Sequence, residues 1–435
     1  MIIERKYYLD RLIERKHDGY VKIITGIRRC GKSFLLNTLF RQHLLSCRVR
    51  PGNIITIELD RLEHEELRDP RKLSSYIHQC IKSSRSWYYI LIDEIQMCEE
   101  VPSSIEGSNT KITFYDVLNG LLRMPNLDIY VTGSNSKMLS DDVATHFRDR
   151  GKIIRLYPLS FSEYYPVSGL TERQALEKYL LYGGMPEAVL SKTDEARRKY
   201  LASLFQTLYL RDIMERNHLK DDVLLGYIVD VLMSSVGSLT NLTNLVNTLQ
   251  STQKIASNIN TVKSYITYLQ QAYIFEKAER YDVRGRKYLS YPSKYYVEDV
   301  GLRNARLNYR QTEYTHLMEN VIYNELISRG AQVDVGVVEI ETRKAGVREK
   351  GQHEIDFVVN MGLEKIYIQS AWDLSSDAKR TQETLSLRHT KDSFRKLVVT
   401  TADQPFYTDD SGISYIGIIS FLLDKSILDN LCRNY

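Results

Sequence analysis

The first 158 residues of this sequence predict an α/β fold built on a parallel sheet, and three observations carry that prediction. Short β-branched runs alternate with amphipathic segments, the pattern of strands joined by crossover helices. One glycine-rich stretch, Gly26-Ile27-Arg28-Arg29-Cys30-Gly31-Lys32-Ser33, falls directly between such a run and such a segment. A second apolar run, Trp87 to Ile92, is too short for a helix and ends abruptly in Asp93-Glu94.

The elements follow in order. Residues 1–18 read as a short charged helix, and Tyr20 to Thr25 (YVKIIT) as a buried strand. Ser33 to Leu45 has helical periodicity, and Asn53 to Leu59 (NIITIEL) is a strand rich in Ile and Thr. A polar helix is expected over 69–83, then the strand that ends at Asp93. Phe114 to Met124 reads as a helix, Leu127 to Thr132 and Lys152 to Tyr157 as strands. The Leu127–Thr132 strand is expected to lie between the first two in the sheet. A helical lid or linker is expected over 159–220. Beyond it, 222–236, 241–250 and 260–272 read as helices, followed by two strands (273–277 and 287–291) around Asp282–Arg286. Three helices and a hairpin are the order of a winged helix, expected over 221–308. From 309 a small mixed α/β domain is expected, with a helix through Glu319–Ile327 and strands near 333–341, 354–359, 365–370, 396–401 and 413–416.

The glycine-rich stretch has the spacing G-x-x-x-x-G-K-[ST], in which backbone N–H groups converge on phosphate oxygens at a helix N-terminus. Gly26 through Ser33, with Phe34 next to it, is therefore the candidate nucleotide-binding segment. Lys32 would reach the β- and γ-phosphates of ATP, and the Ser33 hydroxyl would coordinate Mg²⁺. Asp93, at the tip of a buried strand, is placed to hold the same ion through water. Glu94 is the candidate general base for the attacking water. Thr132-Gly133-Ser134-Asn135 ends the next strand, and a polar side chain there, Asn135 or Ser134, would sense the γ-phosphate or position water. Arg148 and Arg150 follow, and an arginine reaching a neighbouring subunit's nucleotide would stabilise transition-state charge and imply a homo-oligomer.

Together these parts resemble the AAA+ class of P-loop ATPases. The segments GIRRCGKS, LIDEIQ, YVTGSNS, RDRGKIIRLYPLSFSEYY, YLLYGGMPEAV and LYLRDIMER resemble, in order, one prokaryotic family that joins an AAA+-like ATPase domain to a C-terminal domain of unknown function. The resemblance implies that Lys32, Ser33, Asp93 and Glu94 carry nucleotide and Mg²⁺. It also implies that Arg150 matches a Gly-Arg position, with Asp149 replacing the glycine.

The last domain resembles the restriction-endonuclease-like fold, PD-(D/E)XK. Such nucleases need a metal-binding acid on one strand and E-x-K on the next. Glu319 and the Glu354-Ile355-Asp356 strand supply acids, but Gln369 stands where the second acid belongs and Ala371 where the lysine belongs. Without them the ion loses a ligand and nothing activates water, so an inactive nuclease-like shell is expected. In the winged-helix segment, Lys263 and Tyr265 on the candidate recognition helix and Arg284, Arg286 and Lys287 on the wing are candidate DNA contacts. Six basic residues lie between Lys277 and Lys294, against Glu279 and Asp282.

Composition bounds the rest. At 435 residues with 43% apolar and 26% charged residues the chain is long for one core and ordinary for a globular protein. A net charge of +4 is too small to identify a nucleic-acid partner. The five cysteines are scattered and form no C-x-x-C pair, which argues against a disulfide framework or a zinc site. The charged N-terminus has no apolar signal core, and no apolar run approaches a membrane span, so a soluble cytoplasmic protein is expected. The function these observations point to is an ATP-dependent molecular switch, a Mg²⁺-dependent ATPase coupled to DNA. The alternatives are an ATP-gated DNA nuclease using Glu319 and Asp356, and a nucleotide-regulated protein scaffold without nucleic acid.

Overall fold

The computed structural model describes residues 2–103, 110–134, 150–253, 257–310, 312–344, 347–362 and 364–433. The chain forms two compact units. The first comprises residues 1–157 with the short turn Gln271–Tyr273, and the second comprises 158–270 and 274–435.

The first unit opens with helix α1 (Lys6–Glu14) and strand β1 (Val21–Thr25). Helix α2 begins at Lys32–Phe34, widens into a π-type stretch over Leu35–Phe40 and continues through Arg41–Ser46. Strand β2 (Ile54–Glu58), helix α3 (Pro70–Cys80), strand β3 (Tyr88–Asp93), helix α4 (Phe114–Leu121) and strands β4 (Leu127–Gly133) and β5 (Gly151–Arg155) complete it. The strands form one five-stranded sheet in the order β2-β3-β4-β1-β5, and every pairing is parallel. The N-terminal α/β reading thus holds, and each strand lies within two residues of its expected bounds. β4 sits between β1 and β3, with β2 outside at the edge, a refinement of the expected order. Helices cover both faces, which explains why β1, β3 and β4 are buried along their whole length and read as continuous apolar runs. Ile23, Ile57, Ile90, Ile92 and Ile129 pack with Leu73, Ile77, Leu118 and Leu121 of α3 and α4 in one core. Parallel pairing brings the C-terminal ends of β1, β3 and β4 to the same edge. Thr25 pairs with Gly133, and Ile92 with Val131, so Asp93 and Thr132 are neighbours.

The second unit begins with helices between 161 and 216, followed by α5 (Asp222–Ser234), α6 (Leu242–Gln253) and α7 (Ile259–Gln271). Its strands are β6 (Leu239–Thr240), β7 (Phe275–Asp282), β8 (Lys287–Val297), β9 (Gln332–Lys344), β10 (Val347–Met361), β11 (Glu364–Ala371), β12 (Arg395–Thr400), β13 (Tyr407–Thr408) and β14 (Ile413–Gly417). These form one nine-stranded mixed sheet, in the order β13-β14-β12-β11-β10-β9-β7-β8-β6. Helices α8 (Tyr314–Ser328) and α9 (Asp377–Arg388) pack against it. The β7–β8 hairpin, expected as a wing, is joined to the following strands because β7 pairs in parallel with β9. The sheet therefore runs across position 308, where the sequence predicts a domain boundary. The cause is a long-range pairing that local periodicity does not encode.

Candidate nucleotide site

The candidate site lies at the C-terminal edge of the parallel sheet, where α/β folds place their ligands. Between β1 and α2 the chain turns through Gly26 (φ 145°) and Gly31 (φ 103°). A Cβ on Gly26 would stand 2.1 Å from the Leu156 carbonyl oxygen, so no other residue fits there without moving the backbone. Arg5 braces the loop from behind. Its guanidinium, nearly buried, donates to the Cys30 carbonyl at 3.1 Å and to the Tyr157 carbonyl at 2.7 Å. The Cys30 thiol is fully buried and points to the Leu156 carbonyl at 3.5 Å, so it packs the loop.

Lys32 is buried, and its ammonium donates to the Gly26 and Ile27 carbonyls, both at 3.0 Å. Two of its three protons are thus held by the loop's own carbonyls. Ser33 and Phe34 are exposed at the start of α2, as is Arg29, whereas Arg28 is half-buried. Asp93, at the end of β3, is nearly buried and receives side-chain hydrogen bonds from Thr132 and Ser33. Burial pushes its carboxyl above the usual range, and these two hydroxyls pull it back down. Thr132 also accepts a hydrogen bond from the Glu94 backbone N–H at 2.9 Å, so one hydroxyl fixes both acids. Glu94 sits in a left-handed turn (φ 54°). The Gln96 amide donates to the Glu94 carboxylate and, at 3.2 Å, to Ser134 Oγ. Its own carbonyl oxygen is buried with no hydrogen-bond donor among the described residues.

Gly26, Lys32, Ser33, Asp93, Glu94 and Ser134, dispersed in the sequence, thus end at one sheet edge. Ser134 is buried and tied to Gln96. Asn135 and Arg148 lie outside the described residues. Arg150 is exposed, and its backbone carbonyl accepts from Val21 N at 2.9 Å at the opposite end of β1. The sequence reading missed Thr132 as the shared hydrogen-bond partner, Gln96 as the link and Arg5 as the brace. Gln96 was visible as a polar residue two after Glu94; Arg5 carried no local signal.

Two families match in sequence, an "AAA domain" over residues 18–165 and a "Domain of unknown function (DUF8612)" over residues 173–313. An uncharacterized protein of Haemophilus influenzae is 32% identical over 429 residues, 97% of this chain and 99% of its own length. The two chains belong to one family. A more distant relative, an uncharacterized protein of Methanocaldococcus jannaschii, is 24% identical over 379 residues, 83% of this chain and 77% of its own. Among solved structures, the family member described here is similar to the Aeropyrum pernix ORC1 protein in complex with DNA (14% identity, 71% of this chain and 93% of that one, TM-score 0.28). It is also similar to AMPPCP-bound DnaA from Aquifex aeolicus (15% identity, 60% and 85% covered, TM-score 0.30). The AAA-domain match spans the motif of residues 26–33, and the parallel sheet carries that motif between β1 and α2.

The candidate DNA contacts have different fates in the second unit. Lys263, Arg286 and Lys287 are exposed. Tyr265 is buried on the inner side of α7, so it is not a surface contact. Arg284 donates to the His389 carbonyl through Nε (3.1 Å) and Nη2 (2.7 Å), and to the Glu339 carbonyl through Nη1. Its guanidinium ties the hairpin to the rest of the unit. Among the described residues no helix is long and apolar enough to cross a membrane.

Proposed function

We propose that this protein is a Mg²⁺-dependent ATPase of AAA+ type that works as a molecular switch. The observation that carries the reading is the convergence of Ser33, Asp93, Thr132 and Glu94 at the end of three adjacent strands, directly in front of the Lys32 loop. The donor set suits a nucleotide with its ion: an ammonium and loop N–H groups for phosphate oxygens, and a hydroxyl beside a carboxylate for a hard cation. When bound, Mg²⁺ would supply charge neutralisation across the β- and γ-phosphates. Lys32 would exchange its carbonyl partners for phosphate oxygens. Glu94, steered by Gln96, would take the proton of the attacking water, and the donor-free Gln96 carbonyl beside it is an acceptor for that water. Asn135 as sensor, and Arg150 as an arginine donated to a neighbouring subunit, belong to the same proposal.

The turn Gln271–Tyr273 belongs to the first unit. Tyr273 Oη lies 2.6 Å from Thr25 Oγ1, one residue before the phosphate loop, and the Arg155 guanidinium covers its ring at 4.6 Å. DNA is the partner we propose for the second unit, through Lys263, Arg286 and Lys287; Arg284 is withdrawn from that set by its carbonyl partners.

The test is ATP binding and turnover of the wild type, Lys32→Ala and Glu94→Gln. Lys32→Ala should lose ATP binding. Glu94→Gln should bind normally and turn over roughly 100- to 10,000-fold more slowly, the usual worth of a general base. Equal turnover in the three proteins would sink the mechanism.

A further inference from the structure

The second unit holds a buried cluster of opposite charges that the nucleotide site does not use. At its centre is Lys294, counted in the sequence among the basic residues of a wing and in the structure almost fully buried. Its ammonium lies 2.8 Å from Glu319 Oε1, 2.5 Å from Glu354 Oε1 and 3.8 Å from Asp356 Oδ1. The fold explains the convergence. The register of the β7–β8 hairpin shifts between Leu289 and Lys294, and after the shift Lys294 and Tyr296 occupy alternate positions on one face. Both reach Glu319 on α8, Tyr296 Oη donating to the same Oε1 at 2.7 Å. Glu354 and Asp356 alternate likewise on β10, opposite a second register shift between Asp334 and Gly336 of β9. Ser370 N fixes the other Asp356 oxygen at 2.8 Å.

These are the acids that a restriction-endonuclease-like pattern assigns to a divalent metal, and the residues present do not fit one. A hard cation needs several carboxylate oxygens at its own bonding distance. Here the oxygens that would provide them already hold an ammonium, which would strongly repel a second cation in the same space. Among the described residues no group of three or more His, Cys, Asp or Glu side chains is arranged to hold a metal ion. We propose that Lys294 is the permanent cation of this pocket, standing where the pattern puts a divalent metal, and that it closes a latent metal site. The lysine absent from position 371 has not been lost from the neighbourhood. It arrives from another strand and plugs the site.

The test is a Mn²⁺ titration of the nucleotide-free full chain, followed by electron paramagnetic resonance, on wild type, Asp356→Asn, Lys294→Ala and Lys294→Ala/Asp356→Asn. Wild type and Asp356→Asn should bind the same number of Mn²⁺ ions. Lys294→Ala should bind one more, at least ten-fold tighter than any Mn²⁺ the wild type takes up, and the double variant should lose it. Removing Lys294 leaves buried carboxylates unpaired, so Lys294→Ala should also melt lower than wild type, and Mn²⁺ should restore several degrees to it and none to wild type. A wild-type Mn²⁺ ion lost in Asp356→Asn would overturn the proposal, since lysine and metal would then share the pocket. A Lys294→Ala protein that neither binds the extra ion nor is restored by it would overturn it equally.

Discussion

At the scale of single residues, Thr132 has the most consequential side chain that carries no charge. Its hydroxyl donates to buried Asp93 and accepts from the Glu94 backbone, so it holds the proposed metal acid and the proposed general base in register. Thr132→Val keeps the shape and removes both bonds. Leaving a buried carboxylate short of a donor costs about 1–3 kcal/mol, to be read by urea denaturation. The same loss raises the Asp93 carboxyl further, because burial is then less opposed. Asp93 must be ionised to serve a cation, so the acid limb of the ATPase pH profile should move to higher pH in Thr132→Val. An unmoved limb would show that Asp93 does not govern it. That Lys32, Ser33, Asp93 and Glu94 meet at one sheet edge was legible in the sequence, because short spacing and strand context set their positions. Thr132 stood in a quoted segment, but which of its polar residues faced the acids depended on the register of β4 against β3.

At the scale of elements, the Gly183-Gly184-Met185-Pro186 segment has a physical reason in the structure. Gly184 N donates to Asp299 Oδ2 at 2.6 Å, and a Cβ on Gly183 would stand 2.1 Å from Asp299 Oδ1. The glycines let the chain close around a buried carboxylate, which also caps the helix Val300–Arg306 through Leu302 N at 3.1 Å. Burial pushes the Asp299 carboxyl up to about 6, against the pull of the backbone N–H groups of Gly184 and Leu302. Its folded value therefore exceeds its unfolded one, and the folded chain holds the proton more tightly. The contribution to stability is fully present below about pH 4 and is lost as pH rises to about 6. It amounts to something on the order of 3 kcal/mol. Asp299→Asn has no such titration. The unfolding free energy of the wild type, measured against that variant, should fall by this order between pH 4 and pH 6.5 and stay level above. A constant difference across that range would refute the assignment. The sequence marked this segment only by resemblance, because its partner lies 115 residues away.

At the scale of the molecule, a net charge of +4 leaves the partner open, and the fate of individual cations decides more than their sum. Arg284 spends its guanidinium on the carbonyls of His389 and Glu339, whereas Arg286 and Lys287 beside it are exposed. Arg284→Ala should destabilise the protein by about 2 kcal/mol, from several lost charge-assisted hydrogen bonds, without changing the salt slope of DNA binding. Arg286→Ala/Lys287→Ala should leave the melting temperature within a degree or so and reduce that slope by roughly one per cation in filter binding. A double variant with an unchanged slope would remove the hairpin from the proposed interface. The hairpin read as a wing because three helices and two strands succeed one another there. Its membership of the nine-stranded sheet depends on pairing with β9, more than fifty residues onward.

The sequence by itself determined the parallel α/β core, the phosphate loop and the two acids after β3. Each rests on local periodicity or short fixed spacing, and a chain carries such information within a dozen residues. Only the tertiary structure decided which hydroxyl serves both acids, which arginine braces the loop and where Lys294 points. These are contacts between residues tens or hundreds of positions apart, set by strand order and register. The glycine-rich loop, read first as a motif, is now a loop held by Arg5 behind and Leu156 beneath.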